Sequence, residues 1–263
     1  MAASIGQIYG TAPTHVATDN FAERLDRISK MVTERRNKGK ESGDHTRARR
    51  AFVVRGYQPS EEYGVLISLL RDPSVGHKAA ANHKWSPNAN WKLHLSPSYW
   101  LLKVLRCRDK TLVAPLHVDD PKVLFEVQKH IDTTAGYKRL RDVATGAITW
   151  EEYEADMLDK NRVMFLVECL LEAADILCTT PSLSCRHYFE IWKTEKAKGV
   201  AVDEAGSISR PDLYRVWGNT LLPCLLGGDD MQREDGTMSA LGFFTASGWP
   251  IYRLHAPVAR AVW

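Results

Sequence analysis

The chain has 263 residues, with 35 Lys and Arg against 32 Asp and Glu, so its formal charge is +3. Hydrophobic residues make up 44% and charged residues 25%, and eight Trp, nine Tyr and seven Phe exclude disorder of the whole chain. No apolar run approaches the roughly 20 residues that span a bilayer, which argues against a membrane partner. Met1–Gly10 lacks a charged segment followed by a long apolar one, so no signal peptide is expected and the cytoplasm or nucleus is the expected compartment. The five cysteines form an odd set without a Cys-x-x-Cys pair, which speaks against a disulfide scaffold and against a zinc site of ordinary spacing.

In chain order, the first predicted element is a helix over Asn20–Thr33, where Phe21, Leu25, Ile28 and Val32 fall on one face. It opens a basic segment: Arg24–Arg50 holds Arg24, Arg27, Lys30, Arg35, Arg36, Lys38, Lys40, Arg47, Arg49 and Arg50 against four acids. A nucleic-acid surface and a solvated helix face explain that charge equally well. A polar loop over 37–46 leads to a strand, Ala51–Arg55. Helices are expected over Glu61–Leu70, ended by Asp72-Pro73, and then over Pro121–His130, Tyr137–Val143 and Thr149–Leu171. The last is interrupted near Lys160-Asn161 and begins with a capping box, Thr149 and Glu152. Between them, His77–Ser98 is irregular and Tyr99–Leu105 regains apolar periodicity. Trp85, Trp91 and Trp100 alternate with Lys84, Lys92 and Lys103, a pattern that fits either a stacking platform for single strands or core packing.

Three short apolar runs in the last hundred residues read as buried parallel strands: Ala174–Cys178, Gly199–Val202 and Leu221–Leu226. Each ends in polar residues, respectively Thr179-Thr180, Asp203-Glu204 and, after two glycines, Asp229-Asp230. Functional groups of such sheets stand just beyond the carboxyl ends of the strands. An Asp at a strand tip can hold Mg²⁺, and an adjacent Glu can orient water towards a γ-phosphate. The same acids also suit the first turn of a helix, where they complement its dipole.

With Ala12–Phe21 near the start, the order and spacing of these segments resemble the first RecA-like domain of superfamily 1 helicases, the branch of the nonsense-mediated-decay and Okazaki-processing enzymes. The resemblance implies an α/β fold: an incomplete RecA-like, P-loop NTPase-type parallel sheet with an inserted helical subdomain. It implies three regions, namely 1–35 with motif Ia, 36–166 as a mainly helical insertion, and 167–263 with motif Ic, Walker B and motif III. It also implies nucleic-acid contacts from Thr14, His15, Asn20, Thr179 and Thr180. Catalytic roles would fall to Asp203, Glu204 and Gln232, with Asp203, Asp229 and Gln232 at an ATP site and Asp203 on Mg²⁺. Implied partners are single-stranded RNA or DNA and the remainder of a helicase core.

The departures are as specific. Gly-x-x-x-x-Gly-Lys-Ser/Thr occurs nowhere in the 263 residues, so no backbone cradle, phosphate lysine or magnesium hydroxyl is expected. Arg233-Glu234-Asp235 follows Gln232 where the family has Leu-Pro-Pro, and the chain ends before a second RecA-like domain. The expected function is that of a helicase-derived nucleic-acid-binding piece with little or no ATPase. Its alternatives are an active helicase whose missing parts lie elsewhere, and a non-catalytic protein-interaction module. His15 also fits a turn histidine with a local bond. Cys178 and Cys185 fit ordinary thiols better than nucleophiles, because no orienting base accompanies them.

Overall fold

The structure is a computed structural model that describes residues 6–79, 82–83 and 86–228. Five strands, β1 (Ile8–Thr11), β2 (Val53–Arg55), β5 (Ile176–Cys178), β6 (Gly199–Val202) and β7 (Cys224–Leu226), form an all-parallel sheet in the order β2-β5-β1-β6-β7. A separate antiparallel ribbon joins β3 (Asn82–His83) to β4 (Ser86–Asn90). The strands are short and apolar, and β1, β2, β5 and β6 are buried along their whole length, as a sheet covered on both faces requires.

Side chains alternate across the sheet. Ile8, Val53, Ile176, Cys178 and Ala201 point to one face, where Ala22 of α1 (His15–Asn37) and Leu95 pack. Tyr9, Val54, Leu177, Val200 and Val202 point to the other and join one continuous core. That core is built on α2 (Pro59–Arg71), α3 (Pro97–Val104), α4 (Lys122–Thr133), α5 (Lys138–Thr145), α6 (Trp150–Glu154) and α7 (Lys160–Glu172). The predicted capping box is present: Thr149 Oγ1 accepts from Glu152 N at 3.2 Å, and Thr149 N donates to Glu152 Oε2 at 2.7 Å. The helix expected over 149–171 is two helices, α6 and α7, and Asp159 caps the second. After β5 come the short helices α8 (Pro181–Ser184) and α9 (His187–Ile191), and α10 (Arg210–Val216) lies between β6 and β7.

Two differences from the sequence reading have physical causes. First, α1 begins at His15 rather than Asn20, because Thr14 accepts from Ala17 N at 3.1 Å and caps it. Its buried face is Ala17, Thr18, Asp19, Ala22, Asp26, Thr33 and Asn37; Phe21, Leu25 and Ile28 are half-buried and Val32 is exposed. Gly10 explains the close approach, since a Cβ there would stand 2.7 Å from Cys178 Sγ and 3.3 Å from the Phe21 ring. The buried polar positions of α1 find partners from far along the chain, as when Asn37 exchanges two bonds of 2.7 Å with the Ala48 backbone. Second, β2 belongs to the stretch 36–166 yet pairs with β5 in the main sheet, so that stretch contributes to the sheet as well as to the helices.

Candidate functional site

The carboxyl ends of β5, β1 and β6 stand side by side. Beyond β6, Asp203 N donates to Thr11 O at 2.9 Å, which fixes the position of the acidic pair against β1. The Asp203 carboxylate is 20% exposed and lies 3.6 Å from Arg24 Nη1 of α1. Glu204 is exposed and its φ of +50° lies in the left-handed region, which is strained for a side-chain-bearing residue. A tight turn holds it there: Ser207 N donates to Glu204 O at 2.8 Å, and Ala205 N to Gly227 O at 2.8 Å. Gly228 closes the turn, since a Cβ at that position would meet Ala205 N at 2.9 Å.

Thr14 and Asn20 are exposed and His15 is half-buried at the start of α1, with His15 Nδ1 3.4 Å from Arg55 Nη2. Thr179 and Thr180 are buried instead of forming an open track with Thr14. Thr11 Oγ1 donates to Thr179 O at 2.7 Å, and the Thr179 hydroxyl is bonded to the Tyr9 hydroxyl in the core. Burial holds the Tyr9 hydroxyl well above its ordinary pKa, so it stays neutral and needs that partner. Thr180 precedes α8, within 3.5 Å of the Ser182 hydroxyl. Asp229 and Gln232, and with them most of the motif III resemblance, lie outside the described residues.

The basic segment divides in two. Arg47 is bidentate to Asp119 at 2.8 and 2.6 Å, Arg49 donates to Asp120 O at 2.9 Å, and Arg50 pairs with Asp120 at 2.8 Å. Those three are internal fasteners. On α1, by contrast, Asn20, Arg24, Arg27, Met31 and Arg35 recur at helical spacing and are all exposed, as is Lys38 just past the end of the helix. Arg27, Arg35 and Lys38 have no ion pair among the described residues.

A buried network that the sequence did not reveal supports this edge. Arg55 is fully buried at the end of β2, donating from Nε to Asp19 Oδ1 at 2.7 Å and from Nη1 to Gly56 O at 2.6 Å. The Tyr57 ring lies under its guanidinium at 4.4 Å and stacks on Trp91 at 3.9 Å. Trp91 and Trp100 are therefore packing residues rather than an open stacking platform, and Trp85 lies outside the described residues. Burial also pushes the Cys178 thiol up to about 12, which leaves it an inert core group.

For ATP and Mg²⁺, the described residues are a poor fit. Asp203 is engaged by a guanidinium, no group of three metal-ligating side chains forms among the described residues, and the sequence has no glycine-rich phosphate loop. No helix of the described residues is long and apolar enough to cross a membrane. No protein family, no curated protein and no solved structure matches the chain.

Proposed function

We propose that the chain binds single-stranded nucleic acid along the outer flank of α1, as a RecA-like unit derived from a superfamily 1 helicase core, without turning over ATP. One observation carries the reading. Asn20, Arg24, Arg27 and Arg35 run down one exposed side of α1 from the edge where Thr14 and Asp203 stand, and the exposed Lys38 follows the end of the helix. At about 1.5 Å per residue, the 23-residue helix offers a track of roughly 35 Å. Support for the helicase ancestry is positional: the segments like motifs Ic, Ia and Walker B follow adjacent parallel strands, β5, β1 and β6, and face one edge. Binding is assigned to the helix flank because the hydroxyls of Thr179 and Thr180 are committed to the interior.

Fluorescence anisotropy with a labelled single-stranded 20-mer at several salt concentrations tests the proposal. Each phosphate neutralised on a single strand contributes a slope of about −0.7 in log K against log salt. Replacing Arg27, Arg35 and Lys38 together by Ala should flatten the slope by about two units. Replacing Lys122 and Lys129, exposed on α4, should leave it unchanged. No binding at low salt, or a slope indifferent to the α1 changes, would overturn the proposal and favour the interaction-module reading, for which exposed Val16, Met31 and Val32 on α1 supply apolar surface.

A further inference from the structure

The outer side of α1 carries apolar surface that the fold leaves open. Asp19, Asp26 and Asn37 turn inward to partners elsewhere in the chain, so the polar residues occupy the side that packs on the sheet. The apolar stripe Phe21, Leu25, Ile28 and Val32 is displaced from it. Phe21 and Leu25 pack only partly on the small core under α1, and Ile28 is half-buried. Val32 and its neighbour Met31 are 45% and 55% exposed. Residues at i, i+4, i+7 and i+11 form a ridge of three turns, about 17 Å long. Such a ridge fits the groove of a second helix. An exposed apolar patch with a polar rim marks a surface that meets another molecule.

Charge selects the chemistry of that molecule. Ile28, Met31 and Val32 border a surface hollow of about 720 Å³ whose rim carries Arg35, Arg36 and Lys38 and a single acid, Glu34. Lys30 is neutralised by Asp26 at 2.7 Å, and Arg47 by Asp119 at 2.6 Å. Between them the charged residues from Arg27 to Lys40 and the loop acids Glu41 and Asp44 leave two positive charges in excess, with Glu34 counted. A phosphate backbone would answer those cations and leave the apolar side chains in water. Ile28, Met31 and Val32 also offer a base no aromatic ring to stack on.

We propose that this side of α1 docks an amphipathic helix of another protein, with apolar side chains against Ile28, Met31 and Val32 and acidic side chains against Arg35, Arg36 and Lys38. Arg35 and Lys38 also belong to the nucleic-acid track, so an acidic helix and a nucleic-acid strand exclude each other at that end. The docking itself does not rest on nucleic-acid binding.

The probe is a fluorescein-labelled, stapled amphipathic peptide of about 16 residues, enough to run beside three turns, with leucines on one face and glutamates flanking them. Its counterpart has lysine for every glutamate. Anisotropy with the full chain should show the acidic peptide binding about tenfold or more tightly than the basic one. Met31→Gln with Val32→Gln should weaken the acidic peptide by about tenfold or more, and Arg36→Glu should weaken it while tightening the basic one. Both apolar positions are exposed and Gln suits a helix, so the double variant should melt with the parent protein. Its affinity for the single-stranded 20-mer, and the salt slope, should be those of the parent, which keeps this proposal and the nucleic-acid reading separately testable. Equal affinity for both peptides, full affinity in the double variant, no response to Arg36→Glu, or no binding up to about 100 μM would each overturn the proposal. A double variant that loses the 20-mer as fully as the peptide would assign the apolar face to nucleic acid instead.

Discussion

Arg55 Nε and Asp19 Oδ1 meet at 2.7 Å with both side chains sealed from solvent, so the last residue of β2 is pinned to the second turn of α1. The Tyr57 hydroxyl donates to the same carboxylate oxygen at 3.1 Å and accepts from Lys92 N at 2.9 Å. The edge of the sheet that carries Asp203 is braced by a charge pair that water cannot reach.

Removing one partner of that pair strands the other. Asp19→Ala should cost about 3–5 kcal/mol, because the Arg55 guanidinium is left buried and uncompensated. The double variant Asp19→Leu, Arg55→Met should be closer to the parent than Asp19→Ala is. Urea denaturation followed by circular dichroism measures both, and a double variant less stable than the single one would refute this account of the pair.

Glu62 makes stability depend on pH. It is buried in α2, its Oε2 accepts from Ser98 N at 3.2 Å and from the Ser98 hydroxyl, and Oε1 has no partner. Burial is the main cause that lifts its pKa from 4.5 to about 7. An acid raised on folding binds its proton more tightly in the folded state. Its contribution is therefore full below about pH 4.5 and declines as pH rises towards about 7, by up to about 3 kcal/mol. Glu62→Gln should flatten that decline and be the more stable protein at pH 8. Melting curves of both proteins from pH 4 to 8 decide the matter, and parallel curves would exclude Glu62 as the cause.

The left-handed backbone at Glu204 predicts a gain from glycine. Glu204→Gly should stabilise the fold by up to about 1 kcal/mol, since the φ of +50° costs a side-chain-bearing residue about that much. Glu204→Val should destabilise it, because branching at Cβ is least tolerated there. Chemical denaturation would show the two variants moving in opposite directions; movement in the same direction would mean that backbone strain is not what matters at this position.

Val202 and Asp203 are adjacent and should respond in opposite ways. Val202 is buried between β1 and β7, so Val202→Asp should prevent folding, as an unpaired buried charge costs several kcal/mol. Asp203→Asn gives up only a half-exposed ion pair at 3.6 Å and should be tolerated. Soluble yield and the near-ultraviolet dichroism spectrum separate the two cases.

ATP turnover should be indistinguishable between the parent chain and Asp203→Ala, Glu204→Ala, because the sequence holds no phosphate loop and Asp203 faces Arg24. A steady-state phosphate-release assay checks this. Turnover in the parent that the double variant abolishes would point to a phosphate cradle of a different kind.

Four of the five strands were legible along the chain as apolar runs, but the central β1 was not. The run Leu221–Leu226, read as a buried strand, is a strand only over Cys224–Leu226 and is not buried. Gly199–Val202 coincides with its predicted run, and Thr149 with Glu152 marks a helix start through bonds that span three residues. Asp203 and Glu204 were locatable for the same local reason, lying immediately after an apolar run. Tertiary structure alone decided which side of α1 turns inward. Of the apolar stripe, Phe21, Leu25 and Ile28 are only half-buried and Val32 is exposed, yet the buried face includes Asp19, Asp26 and Asn37, since Arg55, Arg50 and the Ala48 backbone meet them from outside the helix. It likewise withdrew Thr179 from the surface, through a bond with Tyr9 from the other end of the chain. Local periodicity records how much apolar surface an element has to bury. Which polar groups enter the interior depends on partners that only the assembled fold brings within hydrogen-bonding distance.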